Sequence, residues 1–362
     1  MKLLFFISSL AGGGAERVMV IICNELVNRG HEVFLATSID IPFAYEIDSR
    51  IKIIDLYPKR SKKRDITSKI HNRLKTYRRI REIAKEINPN VATSFMLGLN
   101  TDVIIATRGL KAPIIASEHS TFDIKYSPIK YIKRFYINRL ADFVTILTQY
   151  DFEFIGNRLK NKIIIPNPLT FEIERGDIIR EQVVIAAGSI DRWHGKGFDS
   201  LIKIWGNISP TFPDWKLQIA GGGSDESFDY LKSIAEQNNV LETVELLGFQ
   251  SHLDKLLQQK AIFILSSRYE GLPMILIEAM SQGAACIAFD CKTGPREIIT
   301  DNVSGLLVED QNMEEMEKAL IKLMSDEALR NNLSEGGLKE AEKFSVDKIV
   351  DKWEILFKSA KK

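Results

Sequence analysis

Cysteine is scarce in this sequence, and no hydrophobic run is long enough to cross a bilayer. The three cysteines, Cys23, Cys286 and Cys291, lack the spacing of metal ligands, so we interpret them as small core residues in a reducing cytoplasm. A spanning helix needs about 18 apolar residues in a row, and no run reaches that length. The short apolar run after Lys2 fits a signal peptide less well than a first strand that enters a glycine turn.

Pairs of the form Asp-x-Asp are also absent. Carboxylates commonly hold the metal ion that binds a diphosphate, so their absence argues against a metal-bound diphosphate. We therefore expect no metal and no cofactor. Cations and helix N-termini would have to stabilise any diphosphate.

Charge is unevenly distributed, although the net charge is only +1. Residues 1–165 carry 27 Lys+Arg and 16 Asp+Glu, a net charge of +11, whereas the remainder carries 22 and 32, a net charge of −10. The two parts of the chain are therefore expected to meet different partners.

Short apolar runs alternate with amphipathic helical stretches along the 362 residues. This alternation predicts an α/β fold, in which parallel sheets are covered by helices on both faces. The predicted strands are KLLFFIS (2–8), HEVFLATS (31–38), IKIIDL (51–56), VATSF (91–95), PIIASE (113–118), FVTIL (143–147), KIIIP (162–166), VVIAAG (183–188), WKLQIAGG (215–222), TVELLGF (243–249), AIFILSS (261–267) and ACIAFD (285–290).

The strand–helix scheme starts again after a break near Pro166-Asn167-Pro168. The length suits two domains, and we interpret the chain as two Rossmann-like domains, residues 1–168 and 169–344, that face a central cleft. In such sheets ligands bind at the carboxyl ends of the strands. The turns that follow the strands are therefore the places to look for functional residues.

Three glycines follow the first predicted strand, in AGGGAER (11–17). Gly13 and Gly14 would let backbone N–H groups approach an anion at a helix N-terminus, although the same residues also suit a simple tight turn. A dinucleotide fingerprint needs another glycine where Arg17 stands. The turn therefore favours a phosphate over a nicotinamide cofactor.

Two further turns carry candidate polar residues. His119 lies in SEHST (117–121), at a predicted strand end, where it could bind a sugar or phosphate or be merely structural. Arg192 and Lys196 lie in GSIDRWHGKG (188–197), between a strand and its helix. Two cations there suit a diphosphate leaving group, although a solvated charged loop is the simpler alternative.

The stretch SSRYEGLPMILIEAMSQG (266–283) places two carboxylates around a strand-to-helix turn. Pro273 suits the first position of the helix and Gly283 its end. Glu270 precedes the helix, where it could be a cap or could bind sugar hydroxyls. Glu278 lies among apolar residues inside the helix, and such a carboxylate needs hydrogen-bond donors, which ribose hydroxyls would supply.

Taken together, these motifs resemble family 4 retaining glycosyltransferases of the GT-B fold. The resemblance covers nearly the whole chain and includes the two glutamates, Glu270 and Glu278, and the segments GGGAER, SEHS, IPNP, GKGFDSLI, LQIAGGG, LLGF and GPREIITDNVSGLLV. It is closest to bacterial transferases that extend lipid-linked O-antigen, capsule, lipopolysaccharide or other glycan-precursor chains. It implies a final helix, residues 345–362, that crosses back to the first domain.

The resemblance also implies a role for each candidate residue. The C-terminal domain would bind the nucleotide sugar, and the N-terminal domain the acceptor. Glu278 would hold the ribose and Glu270 would approach the donor hexose, with His119 near the transferred sugar. Retention would follow front-face attack. The other implied contacts are Arg192 and Lys196 to the diphosphate, Gly271, Leu272, Pro273 and Met274 to hexose and phosphate, Gly248 and Phe249 to the base, and Gly13, Gly14 and Arg17 to donor or acceptor phosphates.

Two basic stretches stand out in the first half. Residues 59–81 hold eleven Lys+Arg and one acidic residue, and residues 125–139 add five cations interleaved with Tyr126, Tyr131, Phe135 and Tyr136. No nucleic-acid motif accompanies them, and the alternatives are a solvated face or an anionic membrane surface. The membrane interpretation predicts a cytoplasmic protein bound peripherally to the inner face of the cell membrane, where a polyprenyl-diphosphate saccharide would be the acceptor.

The leading prediction is thus a retaining, metal-independent glycosyltransferase that uses a nucleotide sugar, with UDP as the favoured nucleotide. A nucleotide-sugar epimerase of the same fold would not need the basic surface. A non-catalytic subunit that binds sugar nucleotides would be expected to lack Lys196 or Glu278, and both are present. A nicotinamide dehydrogenase is the weakest alternative.

Overall fold

The computed structural model describes residues 1–57, 66–176 and 178–361. The chain divides into two compact units, which we call unit 1 and unit 2. Unit 1 comprises Met1–Thr170 together with Val346–Lys362, and unit 2 comprises Phe171–Ser345. The division therefore lies close to the predicted break at Pro166-Asn167-Pro168.

Unit 1 contains a parallel sheet of seven strands in the order β3-β2-β1-β4-β5-β6-β7. Its strands read as continuous hydrophobic runs because helices cover both faces of the sheet. The elements are β1 (Lys2–Phe6), α1 (Gly14–Asn28), β2 (Glu32–Thr37), β3 (Lys52–Asp55), α2 (Ile66–Ile87), β4 (Val91–Phe95), α3 (Leu97–Thr107), β5 (Ile114–Ser117), α4 (Pro128–Ile132), β6 (Phe143–Ile146), α5 (Gln149–Ile155) and β7 (Lys162–Ile164).

Unit 2 contains a parallel sheet of six strands in the order β10-β9-β8-β11-β12-β13. Its core includes Trp205 and Phe289 beside aliphatic residues of the strands. The elements are β8 (Glu181–Ala187), α6 (Trp193–Lys196), α7 (Phe198–Ile208), β9 (Lys216–Ala220), α8 (Asp225–Gln237), β10 (Val244–Gly248), α9 (Leu253–Gln258), β11 (Lys260–Leu265), α10 (Met274–Ser281), β12 (Ala285–Phe289), α11 (Pro295–Ile298), β13 (Leu306–Val308), α12 (Met313–Ser325) and α13 (Glu327–Ala341).

The last helix, α14 (Val346–Ala360), belongs to the core of unit 1. Trp353 on this helix is buried and stacks on Phe95, with 6.1 Å between ring centroids. Arg29 holds the outer face of α14 through ion pairs to Asp347 at 3.0 Å and Asp351 at 2.5 Å. The amphipathic pattern of the chain's end is thus explained by burial against α1 and β4.

Every strand predicted from the sequence is present, and the α/β prediction of two Rossmann-like domains is confirmed. The prediction missed β13, which is only three residues long and lies at the edge of the sheet. In the part of the chain that the structure describes, no helix has both the length and the hydrophobicity that a membrane crossing requires.

The strand orders show where each sheet can bind a ligand. In unit 1 the order reverses between β1 and β4, and in unit 2 it reverses between β8 and β11. Loops on either side of such a reversal leave in opposite directions and open a crevice at the carboxyl ends of the strands. The loops after β8 and β11, and those after β1 and β4, are therefore the first candidates for binding.

Candidate functional site

The loop after β8 reaches the end of β11 because glycine permits a very close approach. Lys196 ends α6, and Gly197 follows it with φ of +67°. A Cβ atom at Gly197 would lie 2.0 Å from the carbonyl oxygen of Ser266, so no other residue fits there. The Ser266 hydroxyl also donates a hydrogen bond of 2.9 Å to the carbonyl of Lys196.

This approach joins two of the predicted site residues, Lys196 and Glu270. The ammonium nitrogen Nζ of Lys196 lies 2.7 Å from Oε1 of Glu270, and the two side chains are only 15% and 11% exposed. The hydroxyl of Ser267 donates to the same carboxylate oxygen at 2.6 Å. Glu270 is therefore a partner of the cation and not a helix cap.

Two more glycines shape the surroundings of Lys196. A Cβ atom at Gly188 would lie 3.0 Å from Cε of Lys196, so the lysine stem lies directly against the end of β8. A Cβ atom at Gly195 would lie 2.7 Å from the Tyr269 hydroxyl. Sequence reasoning did not single out Gly195 or Gly197, although the repeated glycines of HGKG were a visible signal.

Arg268 is a structural residue of this site that sequence reasoning missed. Its guanidinium binds both carboxylate oxygens of Asp199, at 2.7 and 2.9 Å, and donates to the hydroxyl of Ser200 at 2.7 Å and to the carbonyl of His194. Bidentate pairs of this kind are strong and directional. Arg268 thereby fixes the loop after β11 to the α6–α7 segment that carries Lys196.

Arg192 is placed differently from Lys196. It lies on the short 3₁₀ turn Ile190–Arg192 and is exposed, and among the described residues it forms no bond to Lys196 or Glu270. The turn itself is held by Asp191, whose Oδ1 accepts hydrogen bonds from the Ser224 N–H and from the hydroxyls of Ser224 and Ser227. These bonds, the one from the Ser224 N–H first, lower the pKa of Asp191.

The Gly271-Leu272-Pro273 segment leads into α10, which begins at Met274, one residue later than predicted. Pro273 is the N-cap, and its carbonyl accepts a hydrogen bond from the Leu276 N–H at 3.0 Å. The helix ends as predicted, because Gly283 adopts a φ of +73°. Glu278 is 7% exposed, which confirms that this carboxylate is enclosed by the protein.

Gly248 and Phe249 lie at the carboxyl end of β10. Gly248 ends the strand with φ of +69°, and the Phe249 side chain is 81% exposed. A large aromatic ring that remains this exposed at the ligand-binding edge of a sheet offers a flat face to a ligand.

The glycine turn of unit 1 is already bonded to a carboxylate. Glu16 accepts hydrogen bonds from the N–H groups of Gly12 at 2.8 Å and Gly13 at 3.1 Å, and from the Ser9 hydroxyl at 2.6 Å. The expectation that these amides point at a phosphate is therefore wrong for this structure. Gly14 begins α1, and Arg17 contacts the Thr170 carbonyl at 3.5 Å.

His119 lies at the end of β5 in an apolar setting. Its ring stacks on Phe95 with 4.3 Å between centroids, and its Nε2 lies 3.0 Å from the Ser117 hydroxyl. Burial lowers the pKa of His119 to about 4, and only the Asn167 side chain opposes this. The imidazole is therefore neutral near pH 7, and its enclosed Nδ1 has no partner in hydrogen-bond geometry among the described residues.

Arg134 was predicted as part of a basic surface, and the structure contradicts this. Its side chain is 1% exposed and forms an ion pair of 3.1 Å with the equally buried Glu118. It also donates to the carbonyls of Ser120 and Thr121 and to the Tyr126 hydroxyl. Arg134 therefore fixes the segment around His119, because a buried guanidinium must have all its donors bonded.

The basic stretch 59–81 lies partly outside the described residues, including Lys62, Lys63 and Arg64. Several of its described arginines have structural partners: Arg73 pairs with Asp102 at 2.8 Å, and Arg81 donates to the carbonyls of Ala106 and Arg108 at the end of α3. Arg79 donates to the Asp55 carbonyl. Lys75 and Arg78 are exposed.

In residues 1–57, 66–176 and 178–361, no group of three or more His, Cys, Asp or Glu side chains is arranged to hold a metal ion. The three cysteines are buried and free, as expected from their spacing.

Two family models match the chain and together cover most of it. Residues 12–169 match the model described as Glycosyltransferase Family 4, and residues 174–340 match the model described as Glycosyl transferases group 1. The boundary between the two matches coincides with the boundary between unit 1 and unit 2.

Full-length relatives are also glycosyltransferases by name. An uncharacterized glycosyltransferase of Haemophilus influenzae is 26% identical over 97% of this chain and 98% of its own length. A Campylobacter jejuni protein is 27% identical over 98% of this chain and 97% of its own length. It is named GalNAc-alpha-(1->4)-GalNAc-alpha-(1->3)-diNAcBac-PP-undecaprenol alpha-1,4-N-acetyl-D-galactosaminyltransferase.

Solved structures agree on the fold. The lipopolysaccharide outer core galactosyltransferase WaaB superposes with a TM-score of 0.80 at 21% identity, over 99% of both chains. Anabaena Alr3699/HepE, solved in complex with UDP, superposes with a TM-score of 0.79 at 17% identity, over 99% of this chain and 100% of the other. At these identities the likeness establishes the GT-B fold alone.

The lowered pKa of His119 predicts how stability depends on pH. Between about pH 6.5 and about pH 4 the unfolded chain binds a proton at this position and the folded chain does not. The contribution of His119 is therefore complete above pH 6.5 and is lost as the pH falls towards 4. Urea unfolding of wild type and His119→Asn across this range should show a shallower pH dependence in the variant. His252→Asn, at an exposed histidine, is the control and should follow wild type. Parallel curves for all three proteins would contradict the prediction.

Proposed function

Because this chain belongs to the family 4 glycosyltransferases, we propose that it is a retaining, metal-independent enzyme that moves a hexose or N-acetylhexosamine from a nucleotide sugar to a lipid-linked saccharide. The favoured donor is a UDP-sugar, and the favoured acceptor is a polyprenyl-diphosphate saccharide of a surface polysaccharide or glycan precursor. The observation that carries the proposal is the Lys196–Glu270 pair at the reversal of strand order in unit 2.

The donor diphosphate is the natural partner for Lys196. The ammonium group is largely enclosed and held by one carboxylate oxygen, so a diphosphate can replace or share that partner. As the sugar leaves, negative charge grows on the diphosphate, and a positioned cation stabilises it more than it stabilises the intact donor. Arg192, exposed on the neighbouring turn, is a second cation that can close on the same phosphates.

The remaining residues of unit 2 are assigned by their positions around this pair. Glu270, after β11, contacts hydroxyls of the donor hexose, and the backbone of Gly271, Leu272, Pro273 and Met274 contacts hexose and phosphate. Glu278 is enclosed in α10 and holds the ribose. Gly248 and the exposed ring of Phe249 lie against the base.

The acceptor side is assigned to unit 1. A neutral His119 can exchange a hydrogen bond with a sugar hydroxyl but cannot act as a cation towards phosphate. Its buried Nδ1 lacks a partner, and an unsatisfied buried nitrogen costs about 1–3 kcal/mol. A hydroxyl of the transferred or accepting sugar would remove that cost. Gly13, Gly14 and Arg17 contact an acceptor or donor phosphate only if Glu16 releases the turn.

Retention of configuration is proposed to occur by front-face attack. The acceptor hydroxyl approaches the anomeric carbon on the side that the diphosphate leaves. The departing phosphate oxygen accepts the hydroxyl proton, so that the new C–O bond forms as the old one breaks. Lys196 remains on the diphosphate throughout, and no metal ion is required in this scheme.

Peripheral binding to an anionic membrane is proposed to bring the enzyme to a lipid-linked acceptor. The Campylobacter relative, by its name, acts on an undecaprenyl-diphosphate saccharide, and the lysines of residues 125–139 are wholly or partly exposed. Arg134 is excluded from this surface, and Arg73 and Arg81 are engaged within unit 1. The described cations that remain available are Lys75, Arg78, Lys125, Lys130, Lys133 and Arg139.

The reaction is tested by incubating purified protein with a set of UDP-sugars and a polyprenyl-diphosphate disaccharide in excess EDTA, with products read by mass spectrometry and anomeric configuration by NMR. We expect transfer from one UDP-sugar, an α-linked product from an α-linked donor, and no loss of rate with EDTA. Activity that requires Mg²⁺ or Mn²⁺ would overturn metal independence. Absence of transfer to any lipid-linked acceptor would overturn the acceptor class.

Replacing Lys196 by Ala should lower turnover by a factor of about 10²–10³, since one positioned charge on the transition state is worth roughly 3–4 kcal/mol. Lys318→Ala, which removes an exposed lysine of unit 2, is the matched control and should keep wild-type turnover. Circular dichroism should show both variants folded. A folded Lys196→Ala enzyme with near-normal turnover would refute the role given to this cation.

Replacing Lys75, Arg78, Lys130 and Lys133 by Gln should weaken binding to anionic vesicles by several kcal/mol, because each cation near the surface contributes about 1 kcal/mol. High salt should have the same effect, since it shortens the Debye length below about 10 Å. Vesicle co-sedimentation at low and high salt is the measurement. The control neutralises four exposed lysines of unit 2, namely Lys203, Lys232, Lys255 and Lys318. Wild type that ignores anionic vesicles at low salt would end the membrane interpretation.

A further inference from the structure

An open apolar groove lies on unit 1, apart from the residues assigned to the reaction. Its volume is about 720 Å³, and it is lined by Tyr126, Pro128, Tyr131, Ile132 and Tyr136. Tyr131, Ile132 and Tyr136 are 38%, 51% and 58% exposed. Large hydrophobic side chains gathered in one exposed concavity indicate a binding site and not a random surface.

The walls of the groove are preformed. Phe135 is buried beneath it and packs against Tyr131, with 4.7 Å between ring centroids, and against Tyr126, with 6.1 Å. Tyr126 and Tyr131 also meet edge to face at 6.5 Å. Aromatic rings held by each other in this way keep the groove open without a ligand.

The rim of the groove is cationic. Lys125 and Lys130 are exposed and Lys133 is partly exposed, and in the described part of the chain none of these ammonium groups forms an ion pair. An occupant that satisfies both the apolar walls and the cationic rim has a hydrocarbon body and an anionic end.

The groove is bonded to the segment that carries His119. Its wall residue Tyr126 donates a hydrogen bond of 2.7 Å to the Phe122 carbonyl and accepts one from Arg134. Arg134 in turn binds Glu118 and the hydroxyl of Ser120, the residues on either side of His119. A ligand in the groove is therefore anchored to the same short segment as the imidazole.

From these observations we propose that the groove binds the first isoprene units of a single polyprenyl-diphosphate chain, with the lysines of its rim on the diphosphate. The assignment rests on the acceptor class proposed above and identifies where the lipid part of that acceptor binds. It makes the hydrocarbon a recognised part of the substrate and not only its attachment to a membrane. The saccharide at the far side of the diphosphate is then held on the His119 segment.

The groove is tested directly with farnesyl diphosphate, a soluble prenyl diphosphate, by calorimetry on the full chain. We expect it to bind at least about tenfold more tightly than inorganic diphosphate, which has the same charged group without the hydrocarbon. Ile132→Ser and Tyr136→Ser should each remove most of that difference. Ile355→Ser, which removes an equally exposed isoleucine from α14, should bind as wild type does. Equal affinity for the two diphosphates, or wild-type affinity in both groove variants, would overturn the proposal.

Two further arms separate the other occupants of such a surface. If the groove variants lose binding to neutral vesicles but keep farnesyl diphosphate, the surface inserts into a bilayer and the proposal is wrong. Transfer to a saccharide on a short water-soluble carrier should be unaffected by the groove variants, while the KM for the prenyl-linked acceptor rises about tenfold or more. A rise for both acceptors would assign Ile132 and Tyr136 to general folding of unit 1 and would overturn the groove.

These outcomes also distinguish the groove from the reaction. Farnesyl diphosphate bound in the groove of a protein that transfers no sugar would support the site and refute the function. Sugar transfer to lipid-linked and soluble acceptors with equal KM in wild type would support the function and refute the groove.

Discussion

The ion pair between Lys196 and Glu270 is the contact on which the arrangement of unit 2 depends. It joins the loop after β8 to the loop after β11, on the two sides of the reversal in strand order. A largely enclosed ion pair gains little stability in net terms, because desolvation offsets most of the attraction. Its value is instead positional. It keeps a cation in a site of low water content with its stem pressed against Gly188, and close backbone packing at Gly197 and Ser266 keeps the loops from separating.

The same device appears at the end of the other sheet. In unit 1 the amides of Gly12 and Gly13 are bonded to Glu16, as Lys196 is bonded to Glu270 in unit 2. Each group that could bind a phosphate is thus already satisfied by a carboxylate of its own chain. A ligand must compete with that carboxylate, so only an anion that offers more oxygens or more charge displaces it. This favours a diphosphate over singly charged metabolites at both ends.

The sequence was enough to predict the features that follow from local patterns. The strands, the burial of Glu278 and the end of α10 at Gly283 all follow from hydrophobic periodicity and from the conformational freedom of glycine. Long-range partners were not predictable in this way. Arg134 read as one more cation of a basic stretch, because nothing in the pattern indicates that Glu118 waits beneath it.

The same limit applies to the groups near the sites. Arg268 is separated from Asp199 by 69 positions, and no periodicity connects them. Glu16 is only three residues from Gly13, and its position matched the capping-box spacing. That spacing was a readable signal that the glycine turn is closed by its own helix.

Helix α14 gives the chain an unusual order of assembly. Unit 2 is continuous in sequence, but unit 1 includes residues from both ends of the chain, and Trp353 completes the stack on Phe95 that also supports His119. During synthesis the first unit to leave the ribosome therefore cannot close its core until the last residues are made. The second unit can fold before the first is finished, which reverses the usual N-to-C order of domain folding. A premature stop that removes only α14 would damage the unit at the opposite end of the gene.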